Sequence, residues 1–316
     1  MNSQNIYLQK VSKSMKIVIT GATGAIGMAL ISLHLQLGDE VLVITNPNSL
    51  RNKRLKNFSE IKIIECGLSD YAKINLNQSF DIFYHFAWEG GSKRDNIQLN
   101  LDSAIYSISA VELAKRIGCT VFVGAGSQAE TGKHDNPISE NTVCNPESPF
   151  GAAKLSSYYM TRFRCEQLGI KFCWARILSV YGPYDGEKTL IISTIQKLIS
   201  NMDLAFSEAS QQWDFLYSSD AAHALVEIGK NSINGGIYVI GSGIIHPLKD
   251  FIKIITNKFD INPTQFFGLI PSSNSSLNHL EADINKLQNE FNWKPKIDFI
   301  KGIDLTIDYC KNSSNH

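Results

Sequence analysis

The amino-acid sequence predicts a doubly wound α/β fold, a parallel sheet covered by helices on both faces, with a smaller C-terminal lobe. Three observations predict it. Short apolar runs of strand length alternate with helix-period segments, a glycine-rich turn follows the first run directly, and the alternation breaks after Tyr181. Strands buried on both faces read as continuous apolar runs, and each parallel pair needs a crossover long enough to hold a helix.

The strands are expected at Lys16 to Thr20, Val41 to Thr45, Ile61 to Glu65, Ile82 to Phe86, Val121 to Gly124 and Lys171 to Arg176. Between them, Ile26 to Leu37, Asn100 to Ile117 and Gly151 to Leu168 repeat apolar residues at the helical period. Beyond Tyr181 come a loop with Gly182, Pro183 and Gly186, a helix over Thr189 to Ser200, and a strand over Trp213 to Tyr217. A helix near Asp220, a strand over Ile237 to Ile240 and helices over Leu248 to Lys258 and Phe299 to Tyr309 follow. These later pieces are too interleaved for a linker-joined domain. Residues 15–180 are expected to form the nucleotide-binding domain, with 213–245 returning to it, and 181–212 and 246–310 to form a substrate-binding lobe. Residues 1–14 read as a flexible leader and 311–316 as a tail.

The 316 residues are 43% hydrophobic, enough for a full core, and thirty Lys plus Arg balance thirty Asp plus Glu. No global field draws such a chain onto nucleic acid or an anionic membrane, so an anionic ligand must meet local donors. The six cysteines (Cys66, Cys119, Cys144, Cys165, Cys173, Cys310) form no C-x-x-C pair and no Cys/His cluster at zinc spacing. They read as reduced cytosolic thiols, with no metal site. Nowhere do eighteen apolar residues run together, and Met1 to Ser14 lacks the apolar stretch of a secretory signal, so cytoplasmic residence is expected.

Directly after the first strand stands Gly21-Ala22-Thr23-Gly24-Ala25-Ile26-Gly27, leading into a helix. Glycines at this spacing permit a tight turn and let backbone N–H groups approach a pyrophosphate, while the helix N-terminus adds positive potential. In a strand–turn–helix context this is a dinucleotide site of a Rossmann-type sheet. The end of the second strand offers no carboxylate for a ribose 2′-hydroxyl. It reads Thr45-Asn46-Pro47-Asn48-Ser49-Leu50-Arg51-Asn52-Lys53-Arg54. Asn46, Arg51 and Arg54 could meet a 2′-phosphate, which favours NADP with NAD as alternative; as a bland alternative, Arg51, Lys53 and Arg54 form a solvated helix face.

The G-x-x-G-x-x-G turn, Ser127 before Gly132, the x-G-x-x-K run from Phe150 to Lys154, Tyr181-Gly182-Pro183 and the closing Trp293-Lys294-Pro295 with Gly302 resemble the extended short-chain dehydrogenase/reductase family. Within it, the chain is similar to the nucleotide-sugar epimerase, dehydratase and 4-ketoreductase branch. The resemblance implies hydride transfer between a nicotinamide and a sugar carbon, coupled to proton transfer at the oxygen. A tyrosine moves the proton, a lysine four residues on lowers its pKa and holds the ribose, and a hydroxyl residue steadies the oxygen. By this match Ser127 is the hydroxyl residue and Lys154 the lysine, and the tyrosine position holds Phe150. The resemblance also counts Leu68 among the cofactor-binding residues, with Phe86 and Ala87 on the strand end that passes beside the nicotinamide.

Phe150 cannot transfer a proton. Three accounts follow: a deliberate Tyr to Phe change, a natural site in which Tyr158, Glu130 or a water acts instead, or a relative that binds nucleotide and sugar without turnover, as a scaffold or sensor. Thr131 stands where the family commonly carries a second tyrosine. The run Tyr184-Asp185-Gly186-Glu187-Lys188 has dyad spacing but lies in a loop, and reads as coincidence.

On the substrate side, Trp88 could stack on a sugar face or lie under a loop, and His85 reads as a packed strand histidine. Gln128 and Ala129 occupy the place of the acid–base carboxylates of 4,6-dehydratases, which argues against that reaction. What remains is reduction of a 4-keto sugar or epimerisation through a transient ketone. Ser179 replaces an asparagine frequent in the family, and Gly67 an adenine-contacting aspartate. In Gln211-Gln212-Trp213-Asp214, Trp213 replaces the arginine that clamps the diphosphate, with Lys188 or Lys197 as substitute cations. The expected ligand is a nucleoside-diphosphate sugar, and pairing through the helices holding Asn100 and Lys154 suggests a homodimer by analogy.

Overall fold

A computed structural model describes residues 14–233, 235–271 and 277–313. Most of the expected leader, and residues 314–316 of the expected tail, lie outside them. In chain order run β1 (Lys16–Thr20), α1 (Ala25–Gln36), β2 (Glu40–Thr45), β3 (Lys62–Glu65), β4 (Ile82–His85), α2 (Ile97–Arg116) and β5 (Val121–Ser127). There follow α3 (Pro149–Leu168), β6 (Lys171–Ile177), β7 (Ser179–Tyr181), α4 (Leu190–Ile199), β8 (Gln212–Tyr217) and α5 (Ser218–Asn231). The chain ends with β9 (Gly236–Ile240), β10 (Ile245–Pro247), α6 (Leu248–Asn257), α7 (Asn285–Phe291) and α8 (Phe299–Ser313).

Seven strands form the main sheet in the order β3-β2-β1-β4-β5-β6-β9, every pair parallel. Alternate side chains divide its two faces. Ile17, Ile19, Val41, Val43, Tyr84 and Val123 pack with Met28 and Leu30 of α1 and Leu225 and Ile228 of α5. Val18, Leu42, Ile44, Phe83, Phe122 and Trp174 pack on the other face with Val111 and Leu113 of α2 and Cys165 of α3. The chain reverses its build direction between β1 and β4. Their carboxyl ends therefore border the crevice where such sheets take ligands.

Local chemistry sets the helix limits. Asn96 accepts from the Leu99 N–H to start α2, and Ser148 from the Gly151 N–H to start α3. α3 ends at Gly169 with φ 65°. β5 runs to Ser127, beyond the expected Gly124, and Gly124 lies flat against Trp174: a Cβ there would come within 2.5 Å of the indole. Glycine weakens the strand pattern in the sequence while making room for this packing.

In the lobe, Tyr181, Ile191, Ile195, Leu198, Phe206, Tyr217, Ile252, Ile303 and Ile307 form a separate core. Of the stretch expected to return to the sheet, α5 and β9 do so. β8 instead pairs with β7 and, antiparallel, with β10. Strands of three residues such as β7 and β10 are too short to show a period, and the sequence reading lacks them. α8 continues through Ser313, into the expected tail. Asp220, at the start of α5, accepts from the N–H groups of Lys296 and Ile297 and so ties the C-terminal segment to the main body.

Candidate active site

Gly21 leaves β1 with φ 68°, and its α-carbon faces the segment just after β4: a Cβ would lie 2.5 Å from Ala87 N and Phe86 C. A Cβ on Gly27 would meet Ala22 at the same distance, so α1 packs directly on the turn. Gly24 caps α1 with open space above it. Ala25, Ile26 and Gly27 follow in the first helical turn, whose N–H groups lack helical acceptors and lend positive potential to this end of α1. These residues fit the pyrophosphate of a dinucleotide.

Beyond the ends of β2 and β3 lies a cavity of about 450 Å³ lined by Pro47, Glu65, Cys66, Gly67, Asp70 and Lys73. Asp70 carries a carboxylate into this cavity, three residues from Gly67, and pairs with Lys73 at 2.6 Å. Leu68 is buried with Tyr71 and Ile74, so its side chain belongs to the core. Asn46 is exposed, its side chain accepting from the Asn48 N–H. Arg51 is exposed. One nitrogen of Arg54 donates to Thr23 O at 2.7 Å and to Tyr184 O at 2.9 Å, strapping the lobe loop to the glycine turn.

Past Phe86 and Ala87 the chain reaches Trp88, whose indole N–H donates to Asn100 Oδ1 at 2.9 Å. Its ring meets Phe150 edge to face and lies 3.8 Å from the Lys154 Nζ. Trp88 thus caps the lysine, with its orientation set by buried Asn100. Lys154 is buried and donates to Ala125 O at 2.8 Å. Burial is the largest influence on it and brings its pKa down to about 7. Phe150 is also buried, its ring beneath the Arg94 guanidinium at 4.9 Å.

Ser127 ends β5 and opens a one-turn 3-10 helix over residues 128–130. Its hydroxyl donates to Gln128 Oε1 at 2.8 Å and accepts from the Ala129 N–H. The Glu130 carboxylate closes the same turn by accepting from the Ser127 N–H at 2.7 Å, and binds Trp174 Nε1 and Arg176 Nε in the interior. Burial pushes its pKa up, opposed by Arg176. Arg176 also donates to Ser139 O and the Cys144 sulfur. Glu130 is therefore committed to holding Ser127. Tyr158 packs on Phe172 and Trp174, its hydroxyl accepting from Arg162. His85 bonds Thr20 Oγ1 through Nδ1 and Ser107 Oγ through Nε2, and burial lowers its pKa to about 3.

On the lobe side, Ser179 opens β7 and Trp213 lies in β8, both half-buried. The side-chain oxygen of Gln211 is buried with no hydrogen-bond partner among the described residues. A second cavity, of about 190 Å³, lies between α4 and residues 204–209 and is lined by Lys197, Phe206, Ser207 and Leu248. Lys188 is exposed in the preceding loop and does not line it. The Tyr184 ring packs on Tyr309, and Asp185 accepts from Gly186 N and Thr189 Oγ1, so this run is a structural loop.

Three contributors escape the sequence reading: Arg94, Asn100 in its role of orienting Trp88, and Arg176. Arg176 left a signal, because a cation inside the apolar run Phe172-Cys173-Trp174-Ala175 demands a buried partner. Arg94, in a polar loop, left none. Among the described residues no group of three or more His, Cys, Asp or Glu is placed to hold a metal, and no helix is long and apolar enough to cross a membrane.

A glycine turn at the switch point of a parallel sheet thus lies with a buried helix lysine and a strand-end serine at the same carboxyl edge. The chain belongs to the NAD dependent epimerase/dehydratase family, whose model matches residues 17–241. It is 32% identical over 268 residues to the dTDP-6-deoxy-L-talose 4-dehydrogenase (NAD(+)) of Aggregatibacter actinomycetemcomitans, covering 82% of this chain and 96% of that protein. It is 26% identical over 311 residues to the CDP-abequose synthase of Salmonella typhimurium, covering 91% and 96%. Among solved structures, UDP-glucuronic acid 4-epimerase from Bacillus cereus, in complex with UDP-glucuronic acid and NAD, superposes with a TM-score of 0.84. The identity is 21%, with 95% of this chain and all of that chain covered.

Proposed function

We propose that this protein is a nicotinamide-dependent oxidoreductase of nucleoside-diphosphate hexoses or deoxyhexoses, a 4-ketoreductase or an epimerase, interconverting a carbinol and a ketone on the sugar. The observation that carries the reading is the run from Gly21 to Lys154. The turn abuts Phe86 and Ala87, and the next residue, Trp88, lies on the Lys154 ammonium. Through this segment the glycine turn and Lys154 lie near one another, which supports the reading. Gln128 and Ala129 offer no carboxyl, which leaves elimination of water without its acid and base. The similarity to a sugar 4-dehydrogenase supports chemistry at a carbinol carbon.

In this reading Gly21, Thr23, Gly24, Ala25, Ile26 and Gly27 hold the pyrophosphate, Asp70 and the cavity around Gly67 take the adenosine end, and Lys154 bonds the ribose. The coenzyme supplies a hydride acceptor or donor. Ser127 bonds the sugar oxygen, Trp88 and Gln128 border the sugar, and Ser179, Gln211, Trp213 and Lys197 face the nucleotide. The absence of a carboxylate after β2, with Arg51 exposed there, supports NADP; NAD, in the name of the 4-dehydrogenase relative, is the alternative. Titration calorimetry with both coenzymes and a panel of 4-keto and 4-hydroxy nucleotide sugars tests the reading. Binding of coenzyme and one sugar class is expected, and absence of coenzyme binding overturns it. Replacing Arg51 and Arg54 together weakens NADPH far more than NADH if the 2′-phosphate assignment is right.

Phe150 favours a second reading, a relative that binds the same ligands without turnover. Restoring Phe150→Tyr and finding no turnover across the panel would favour it. For assembly, Ile97, Leu101 and Ile105 of α2 recur at four-residue spacing, and with Tyr159, Met160 and Phe163 of α3 they are exposed. α2 and α3 pack side by side, so these residues supply a homodimer face, tested by sedimentation equilibrium. Cytoplasmic residence is supported by six free cysteines.

A further inference from the structure

We propose that the Trp88 indole is a gate: in the coenzyme-free chain it shuts off Lys154, and it must swing out before a ribose hydroxyl can reach the lysine Nζ. The inference rests on the oxidoreductase reading, which gives Lys154 the ribose, and adds the conformational step that such binding requires.

The glycine turn and the lysine differ in access. At the turn the space above Gly24 is open, and the cavity around Gly67 and Asp70 lies beyond the ends of β2 and β3. Lys154 keeps only 6% of its surface exposed, and it lines neither that cavity nor the one beside α4. The indole covers it. The Trp88 ring centre lies 3.8 Å from Nζ, with the Phe150 ring at 5.8 Å. A hydroxyl oxygen bonded to an ammonium sits about 2.8 Å from the nitrogen and needs van der Waals clearance from the ring besides. No ligand atom fits between indole and amine.

The closed position is held at three points. The indole N–H donates to Asn100 Oδ1 at 2.9 Å, the ring face takes the ammonium, and the ring meets Phe150 edge to face. Lys154 bonds Ala125 O and has no carboxylate in ion-pair contact among the described residues, so the ring carries much of the hold on its charge. Cation–π attraction is strongest when both partners are out of water. Opening also leaves Asn100 Oδ1 without its donor in the interior, which costs more than an ordinary bond contributes.

The moving part is the side chain. Ala87 N donates to Thr20 Oγ1 and Glu89 N to Ser103 Oγ, so the backbone on either side of Trp88 is tied to β1 and α2. Asn100 Nδ2 separately holds the carbonyls of Lys93, Arg94 and Asn96. The indole therefore turns about its own χ angles while the segment stays in place. Trp88 is half-buried, which leaves it solvent to swing into. Coenzyme engages only those molecules whose indole has turned, so closure weakens the apparent affinity by that fraction.

The test uses the full chain, isotope-labelled at the tryptophan nitrogens. Its four tryptophans give four indole N–H signals in NMR, and Trp88→Phe identifies the one belonging to Trp88. In the free chain that proton should exchange slowly with solvent, and coenzyme should release it. Trp174, bonded to Glu130, stays protected in both states as the reference. A Trp88 N–H that exchanges freely without coenzyme, or stays protected with coenzyme bound, overturns the gate. The second readout is stopped-flow binding of NADPH and NADH. Trp88→Ala should speed association and tighten the coenzyme about tenfold. Trp88→Phe keeps a ring over Nζ and drops only the Asn100 bond, so it should act in the same direction by a few-fold, and it serves if the alanine variant does not fold. Equal or slower binding in the folded variants overturns the proposal. The two failures separate: a chain that binds neither coenzyme, with or without the indole, removes the oxidoreductase reading and the gate with it, whereas coenzyme that binds past an undisturbed Trp88 removes the gate alone.

Discussion

The glycine turn and the region around the N-terminal end of α3 carry their information differently. At the turn, the fit is made by backbone: Gly21 and Gly27 are required because Phe86, Ala87 and Ala22 leave no room for a Cβ. Around α3 and the lobe the surfaces are made by side chains, and Phe150 of α3, Thr131 after β5 and Trp213 of β8 all depart from the pattern the family resemblance implies. Backbone contacts to a pyrophosphate are the same for any dinucleotide enzyme, so the turn holds its pattern. Side chains around a sugar change with the sugar, so substrate sites vary over a common scaffold.

The largest expected effect lies beneath both regions. His85 is neutral in the fold with a pKa of about 3, below its ordinary value near 6.5. The unfolded chain therefore binds the proton first, and stability present above pH 6.5 is lost progressively as pH falls to 3, on the order of 4–5 kcal/mol. Denaturant titrations of the parent and of His85→Asn should show a shallower acid loss in the variant. Next, Glu130→Ala leaves Arg176 buried and unpaired and should cost about 3–5 kcal/mol, whereas the double change Glu130→Leu with Arg176→Met recovers most of it. Recovery of stability without recovery of sugar binding would show that Glu130 holds Ser127 in place.

On the coenzyme side, Gly21→Ala combines a strained positive φ with a backbone clash and should cost about 3 kcal/mol, read by chemical denaturation alongside coenzyme affinity. An unchanged affinity would mean that the turn tolerates more than its geometry allows. The smallest effect belongs to the lobe: Trp213→Arg restores a bidentate donor and should tighten a nucleoside diphosphate about tenfold. No change would place the diphosphate away from β8.

The main sheet was legible because strands buried on both faces leave apolar runs and crossover helices leave a 3.6-residue period. That is why β1, α1 and β6 lie where their patterns put them, within a residue or so. The lobe was less so: β7 and β10 owe their existence to pairing with β8, a contact between distant segments that no local window contains. In the candidate site, the spacing around Gly21 marked a turn, and Ser127 and Lys154 were singled out only through the family resemblance, whereas the cap formed by Trp88, Asn100 and Arg94 arises only when the loop after β4 folds over α3. Arg54 shows the same limit. Its charge suggested a phosphate, and the structure shows it bridging Thr23 and Tyr184, a tie between segments far apart in sequence.

The last strand of the main sheet, β9, joins β6 only after the chain has travelled out through the lobe and back. During synthesis, β6 therefore waits with one edge open until residue 240 has left the ribosome. Such a late, non-local closure slows folding and exposes an edge that other chains can pair with. The lobe is thus a precondition for finishing the coenzyme-binding half, and a gene fragment ending at β6 should yield aggregates instead of a smaller working module.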